Sequence, residues 1–281
     1  MKARTWTPLL AAIALLAGAC GRTTGPGNGG IDHPTGAHQL VLRVDVGGGF
    51  IAPDYSLRQI PRFSLFGDGT LITQGPQMEI YPGPALPALI ATPISEEGVQ
   101  AILEATRGAG LFGPNRHYDF PCIADVGTTT FTLNAEAEHH VVSAYALSEG
   151  QSDCPGVDTG ARAKLARFQA KLGDLRSWLP EGSVGQDGQY AFTELRVYVR
   201  PYTGDPTLSE REVAWPLTTP LADFGQAVAN LPDTRCGVVG GDELATLLPD
   251  VRSANELTPW TSEGRSYGLL FRPLLPDEHG C

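Results

Sequence analysis

Apolar and polar residues alternate from His38 to Val46 (HQLVLRVDV), the period of a strand with one buried face. Gly47, Gly48 and Gly49 end the pattern. A second stretch, Pro61 to Ile72 (PRFSLFGDGTLI), sets Asp68-Gly69 between two β-prone runs and predicts a hairpin. Residues 81–93 (YPGPALPALIATP) carry four prolines and read as an ordered, extended loop along a sheet edge. At Ser95 the period becomes helical: Val99, Ile102 and Leu103 share a stripe, and Gly108 with Gly110 ends it. Ser95 is placed to cap this helix, and Glu96 and Glu97 suit the positive end of its dipole.

Two strands follow at residues 128–133 (TTTFTL) and 140–147 (HVVSAYAL), joined by a polar turn. A second helix begins near Asp158 or Thr159, with Ala161, Leu165, Phe168, Leu172 and Leu175 on one face. Residues 181–189 (EGSVGQDGQ) form a turn-rich linker. They separate an N-terminal α+β half, residues 38–180, from a C-terminal α+β half, residues 190–281. The C-terminal half is expected to hold strands at 190–202, 212–215, 236–239 and 267–274. Helices are expected around 223–231 and at 242–248, the latter capped by Asp242. Hairpins interleaved with a few helices predict an α+β fold, a mixed or mainly antiparallel sheet with helices on one side. The regular βαβ alternation that periplasmic solute-binding proteins need is missing.

Composition adds limits. The 281 residues are 42% hydrophobic and 18% charged, values of a globular chain. Net charge is −11, and the segment before Cys20 contributes Lys2 and Arg4 but no acid. So acidic a body offers no basic stripe to phosphates, which excludes nucleic acid as a partner.

The N-terminus carries an address. Lys2 and Arg4 precede the apolar run LLAAIALL at residues 9–16, too short to span a bilayer, and small residues follow. Residues 1–19 read as an export signal. Leu16, Ala17, Gly18 and Ala19 before Cys20 resemble the lipobox of bacterial lipoproteins. Here the leucine stands four residues before the cysteine, and Ala17 takes the usual leucine position. Ala17-x-Ala19 also fits ordinary signal cleavage, which would release a secreted protein. The resemblance implies a diacylglycerol thioether on Cys20, later acylation, and anchoring to the extracytoplasmic face of a bacterial membrane. Each buried methylene of the anchor would contribute ~0.8 kcal/mol. Residues 20–37, rich in glycine, are expected to form a flexible tether.

Assigning Cys20 to lipid accounts for the odd count of five cysteines. Cys122, Cys154, Cys236 and Cys281 then imply two disulfides in an oxidising compartment, with three possible pairings. The sequence-local pairing is Cys122–Cys154 with Cys236–Cys281, each loop closure contributing roughly 3–4 kcal/mol.

Motifs of chemistry are scarce. No nucleophile elbow, Ser-x-x-Lys, zinc-protease or nucleotide-binding fingerprint occurs, and neither a cofactor nor a metal is called for. His117 and Asp119, two apart, are a potential base and orienter without an identifiable nucleophile. Asp32, His33 and His38 form a loose potential metal set. His139 and His140 point to opposite faces of one strand, and His279 stands beside Asp277 and Glu278. Trp215, Trp260, Tyr198, Tyr202 and Tyr267 would either fill the core or present a stacking face to a glycan or protein. The expectation is a non-catalytic, membrane-tethered envelope module for binding or scaffolding. Its alternatives are an envelope hydrolase with scattered residues and a secreted ligand-binding or inhibitor module.

Overall fold

The pairing of the alternating runs explains the architecture. In the computed structural model, which describes residues 29–77, 79–149, 154–204 and 211–281, each half of the chain builds its own sheet. The first contains β1 (Leu40–Gly47), β2 (Phe63–Phe66), β3 (Thr70–Gln74), β4 (Leu89–Pro93), β5 (Arg116–Tyr118), β6 (Thr128–Ala135), β7 (Glu138–Tyr145) and β8 (Gly188–Gln189). Their order is β5-β7-β6-β1-β2-β3-β4-β8, antiparallel except where β5 joins β7. The second contains β9 (Glu194–Pro201), β10 (Val213–Ala214), β11 (Gln226–Ala227), β12 (Arg235–Gly240), β13 (Pro259–Ser262) and β14 (Arg265–Pro273). Their order is β10-β13-β14-β9-β12-β11, with β10 and β13 parallel. Helices α1 (Pro53–Arg58), α2 (Glu96–Ala109), α3 (Thr159–Leu172) and α4 (Gly241–Ser253) complete an α+β fold.

Local chemistry sets the element boundaries. In the β2–β3 turn the Asp68 carboxylate accepts the Thr70 N–H at 2.9 Å. Gly69 sits at φ +83°, and a Cβ there would lie 2.2 Å from the Ile94 carbonyl oxygen, so only glycine fits. Ser95 caps α2 by accepting the Gly98 N–H, and Gly110 ends it in the left-handed region. Asp158 caps α3 through the Ala161 N–H. Val99, Ile102, Leu103, Leu165 and Phe168 bury against Leu42, Leu65, Phe131 and Leu133 of the first sheet.

One buried position of α3 is polar. Arg162 is fully buried, with Nη1 on the Tyr145 carbonyl at 2.8 Å and Nη2 on that of Ala146 at 2.9 Å. Its guanidinium lies 4.7 Å from the Phe120 ring centroid. Burial lowers its pKa, and the carbonyl dipoles oppose that cost.

The structure corrects several expectations. Residues 31–37, expected in the glycine-rich tether, pack on the body instead. Ile31 is 3% exposed, exchanges two hydrogen bonds with the Gln100 side chain, and is followed by His33 on Glu96. Residues 181–189 are no free linker, because Ser183 is buried, Val184 bridges Ile94, and β8 pairs with β4. Part of the proline-rich loop is strand β4. Residues 223–231 are not a helix: Gly225, at φ +62°, lets the chain pass against the Cys236 carbonyl, and β11 then pairs with β12. The cap of α4 is Gly240, with Asp242 in the first turn, and the helix runs through Pro249 to bury Leu247 and Val251.

Ile31–Cys281 form one compact unit, and the C-terminal residues tie its two sheets together. Arg272 of β14 donates to both Glu278 oxygens at 2.7 Å and to the Gln59 carbonyl at 2.8 Å. Asp277 accepts from Arg43 of β1 at 2.7 Å, and Leu275 packs with Phe66 and Ile72 of the first sheet. Tyr190 donates to the Leu274 carbonyl at 2.9 Å. Disulfides join Cys122 to Cys154 and Cys236 to Cys281, so the last residue is fixed. At α1, Arg200 pairs with Asp54, and Arg58 pairs with Glu256 at 3.2 Å.

This strap has a pH signature. Burial alone would raise the Glu278 carboxyl. The Arg272 hydrogen bonds and charge, the Leu275 N–H and the Arg43 charge outweigh burial and hold it below its ordinary 4.5. A depressed carboxyl stabilises the fold above its unfolded pKa, so this contribution should fade as pH drops below 4.5. Glu278→Gln should cost about 3 kcal/mol at neutral pH by leaving Arg272 buried without its counter-charge. Urea unfolding across the acid range should show that the variant has lost the wild-type slope. The Tyr190 phenol is pushed up to about 12 by burial and by the Glu278 and Asp277 charges. A raised phenol stabilises the fold below its unfolded pKa of 10.0, and that part is lost as pH rises from there towards about 12. In an ultraviolet absorbance titration, Tyr190→Phe should remove the last-titrating phenol.

Candidate functional site

The parallel pairing of β5 with β7 sets His117 opposite Ser143. Ser143 Oγ lies 2.7 Å from His117 Nδ1, and Asp119 Oδ1 lies 3.0 Å from His117 Nε2. The serine missing from the sequence reading is therefore present, brought in from 26 residues away by the sheet. A serine, histidine and aspartate in series are the parts of an acyl-transfer site. Their surroundings lack its other requirements. The His117 side chain is 48% and that of Asp119 83% exposed, so water screens the carboxylate. Ser143 sits mid-strand with ladders on both sides, which commits the neighbouring backbone N–H groups to the sheet. None of the three residues lines any of five cavities found among the described residues.

The other histidines are dispersed. His140 is buried against the Gly113 carbonyl and the Phe112 ring, whereas His139 bonds Asn134 at the surface. His33 bonds Pro34 and Glu96, His38 bonds the Pro276 carbonyl, and His279 lies 4.0 Å from Glu194. No group of three or more metal-ligating side chains gathers among the described residues. Cys20 lies outside the described residues. Trp260, Trp215 and Tyr198 are core residues, the two tryptophans meeting edge-on 6.1 Å apart. Tyr267 has a different place.

Tyr267 lines a groove of about 720 Å³ at one end of the second sheet. Directly opposed residues share a face, so Leu269, Val199, Arg235 and Ala227 form one row across β14, β9, β12 and β11. Tyr267 and Pro201 form the row beside it. Buried Val199 and Leu221 supply an apolar floor, and the turn from Asn230 to Thr234 makes one wall.

The charged groups of this lining are mainly cationic. Arg235 donates Nε to the Phe224 carbonyl at 2.9 Å, and Nη2 to Gly225 at 2.6 Å and Asp223 at 3.3 Å. Its Nη1 meets no acceptor, and no carboxylate pairs with it, among the described residues. Arg265, exposed on the strand that carries Tyr267, has neither a side-chain hydrogen bond nor an ion pair among the described residues. Arg200 is neutralised by Asp54, and Asp233 is the acid of the lining. Reading residues 223–231 as a helix hid this site. The usable signal was the turn-prone run Asn230-Leu231-Pro232-Asp233, where Asn230 and Asp233 adopt positive φ.

No family model matches the chain, and comparisons with curated proteins and with solved structures return no match. The geometry therefore carries the functional argument alone. If the Ser143 trio is a surface network, His117→Ala should change stability by less than about 1 kcal/mol. Intact-mass analysis should find no adduct on Ser143 after fluorophosphonate treatment.

Proposed function

We propose that this protein is a membrane-tethered binding module of a bacterial cell envelope, held by lipid on Cys20 and working through the groove at Tyr267. Three features support the address: the apolar run before Cys20, the small residues that follow it, and a body stapled by two disulfides. The groove carries the binding reading. Its volume is that of sites for small organic ligands, its floor is apolar, and a few fixed polar groups converge on it. A scaffolding role would leave those arginines without a task. A hydrolase reading rests on Ser143, His117 and Asp119, which have the spacing but line none of the five cavities described, and the strand pairing on both sides of Ser143 occupies the neighbouring backbone donors.

Two measurements test the two parts. Intact mass of the mature protein should show the N-terminus at Cys20 carrying a diacylglycerol, and Cys20→Ser should leave the membrane fraction. Phenylnaphthylamine, neutral and fluorescent in apolar sites, should bind the folded protein with saturation. Ala227→Trp, which fills the groove from an exposed position, should abolish that signal while unfolding at the wild-type urea midpoint.

A further inference from the structure

The groove's charge is opposite in sign to that of the chain around it. Acids outnumber lysines and arginines 31 to 20. Many of the arginines are already matched: Arg43, Arg58, Arg107, Arg176, Arg200 and Arg272 each pair with a carboxylate. Arg235 and Arg265 line one groove and pair with none among the described residues. Resting on the binding reading above, we infer that the groove takes an organic anion: an aromatic or aliphatic body on Val199, Pro201 and Leu221, its acid head between Arg265 and Nη1 of Arg235.

Arg235 is built for such a contact. Three backbone carbonyls hold its guanidinium, so little side-chain entropy remains to be lost when an anion binds. Those carbonyls stabilise the cation without cancelling its charge, as a carboxylate would. Arg265, exposed and without a partner among the described residues, is the counterpart free to turn onto the head group after the apolar body has seated. Tyr267 stands two residues along the same strand and shares its face, placing a ring beside the charge. Asp233 opposes an anion on the rim, and its single charge is outnumbered by the two unpaired arginines. The surrounding net charge of −11 repels anions at long range, so selection must come from short-range pairing on the apolar floor.

The test uses two probes that share one ring system, anilinonaphthalene sulfonate and neutral phenylnaphthylamine. The folded protein should bind the sulfonate at least about tenfold more tightly, a charge-assisted contact at a partly desolvated site. Arg265→Ala should weaken the sulfonate about five- to tenfold and the neutral probe by much less. Arg265→Glu should reverse the preference, and Arg265→Lys should restore most of it. Arg265 is exposed and unpartnered, so these variants should keep the wild-type circular dichroism and urea midpoint. Equal affinity for both probes, with no response to Arg265, would overturn the anion inference and leave the groove as a neutral site. Sulfonate binding that survives Ala227→Trp would place that probe elsewhere and overturn the anion inference, while the binding reading stands or falls with the neutral probe.

Discussion

Glu278 and Arg272 are six residues apart in sequence, and the contact between them holds together parts of the molecule far more distant. Arg272 is the point where β14, the Gln59 carbonyl beyond α1 and the C-terminal tail meet. Glu278 in turn accepts the Leu275 N–H at 2.9 Å, which turns the tail so that Leu275 enters the cluster of Phe66 and Ile72. A pair so enclosed contributes little over an apolar substitute, but either member alone would be a buried, unmatched charge. It therefore acts as a constraint on arrangement: with both groups present, the tail has one satisfied path across the first sheet. The two sheets become one unit because that path ends at Cys281, bonded to Cys236 of β12.

The same staple lies behind the groove. Cys236 and Arg235 are neighbours on β12, so their side chains leave opposite faces of the strand. On one face the disulfide, Tyr198, Leu270 and Leu57 pack where the second sheet meets α1. On the other, Arg235 extends across Val199 and is fixed by the turn that follows Leu221. Movement of β12 would disturb both faces, and the disulfide opposes that movement. The groove is thus preformed by strands whose positions are fixed for reasons of stability, and binding need not order them.

How much of this was legible in the sequence depends on the range of the interactions. The strand at Leu40, the hairpin at Asp68-Gly69, and the helices opening at Ser95 and Asp158 were readable because their signals are local: alternation, a turn pair, a cap. The disulfide pairing is the sequence-local one of the three that the cysteine count left open. What could not be read were partners set by register. Ser143 meets His117 only because β5 pairs in parallel with β7. Residues 223–231 have helical composition, yet Gly225 must approach the Cys236 carbonyl too closely for any side chain, and tertiary pairing overrides propensity there. Misreading that segment removed one wall of the groove, and with it the site.

Arg162 and Arg235 show why access separates structure from function. Each guanidinium is held by backbone carbonyls, and neither has a carboxylate partner among the described residues. Arg162 is sealed beneath α3 and stacked on Phe120, where nothing else can reach it, so its charge serves to lock the helix to the ends of β5 and β7. Arg235 stands on a strand that opens to solvent beside an apolar floor, with one edge of its guanidinium unspent. A buried arginine held by carbonyls completes a core even though its Nε stays unbonded, whereas an accessible one keeps a charge that the fold has oriented and not consumed. The Ser143 trio differs again: its hydrogen bonds are good, but water reaches the carboxylate, and none of the three residues lines the cavities described above. Ordered polar groups acquire chemistry when a ligand can displace water from them, and among the described residues the groove at Arg235 meets that condition better than Ser143, which lies between two paired strands.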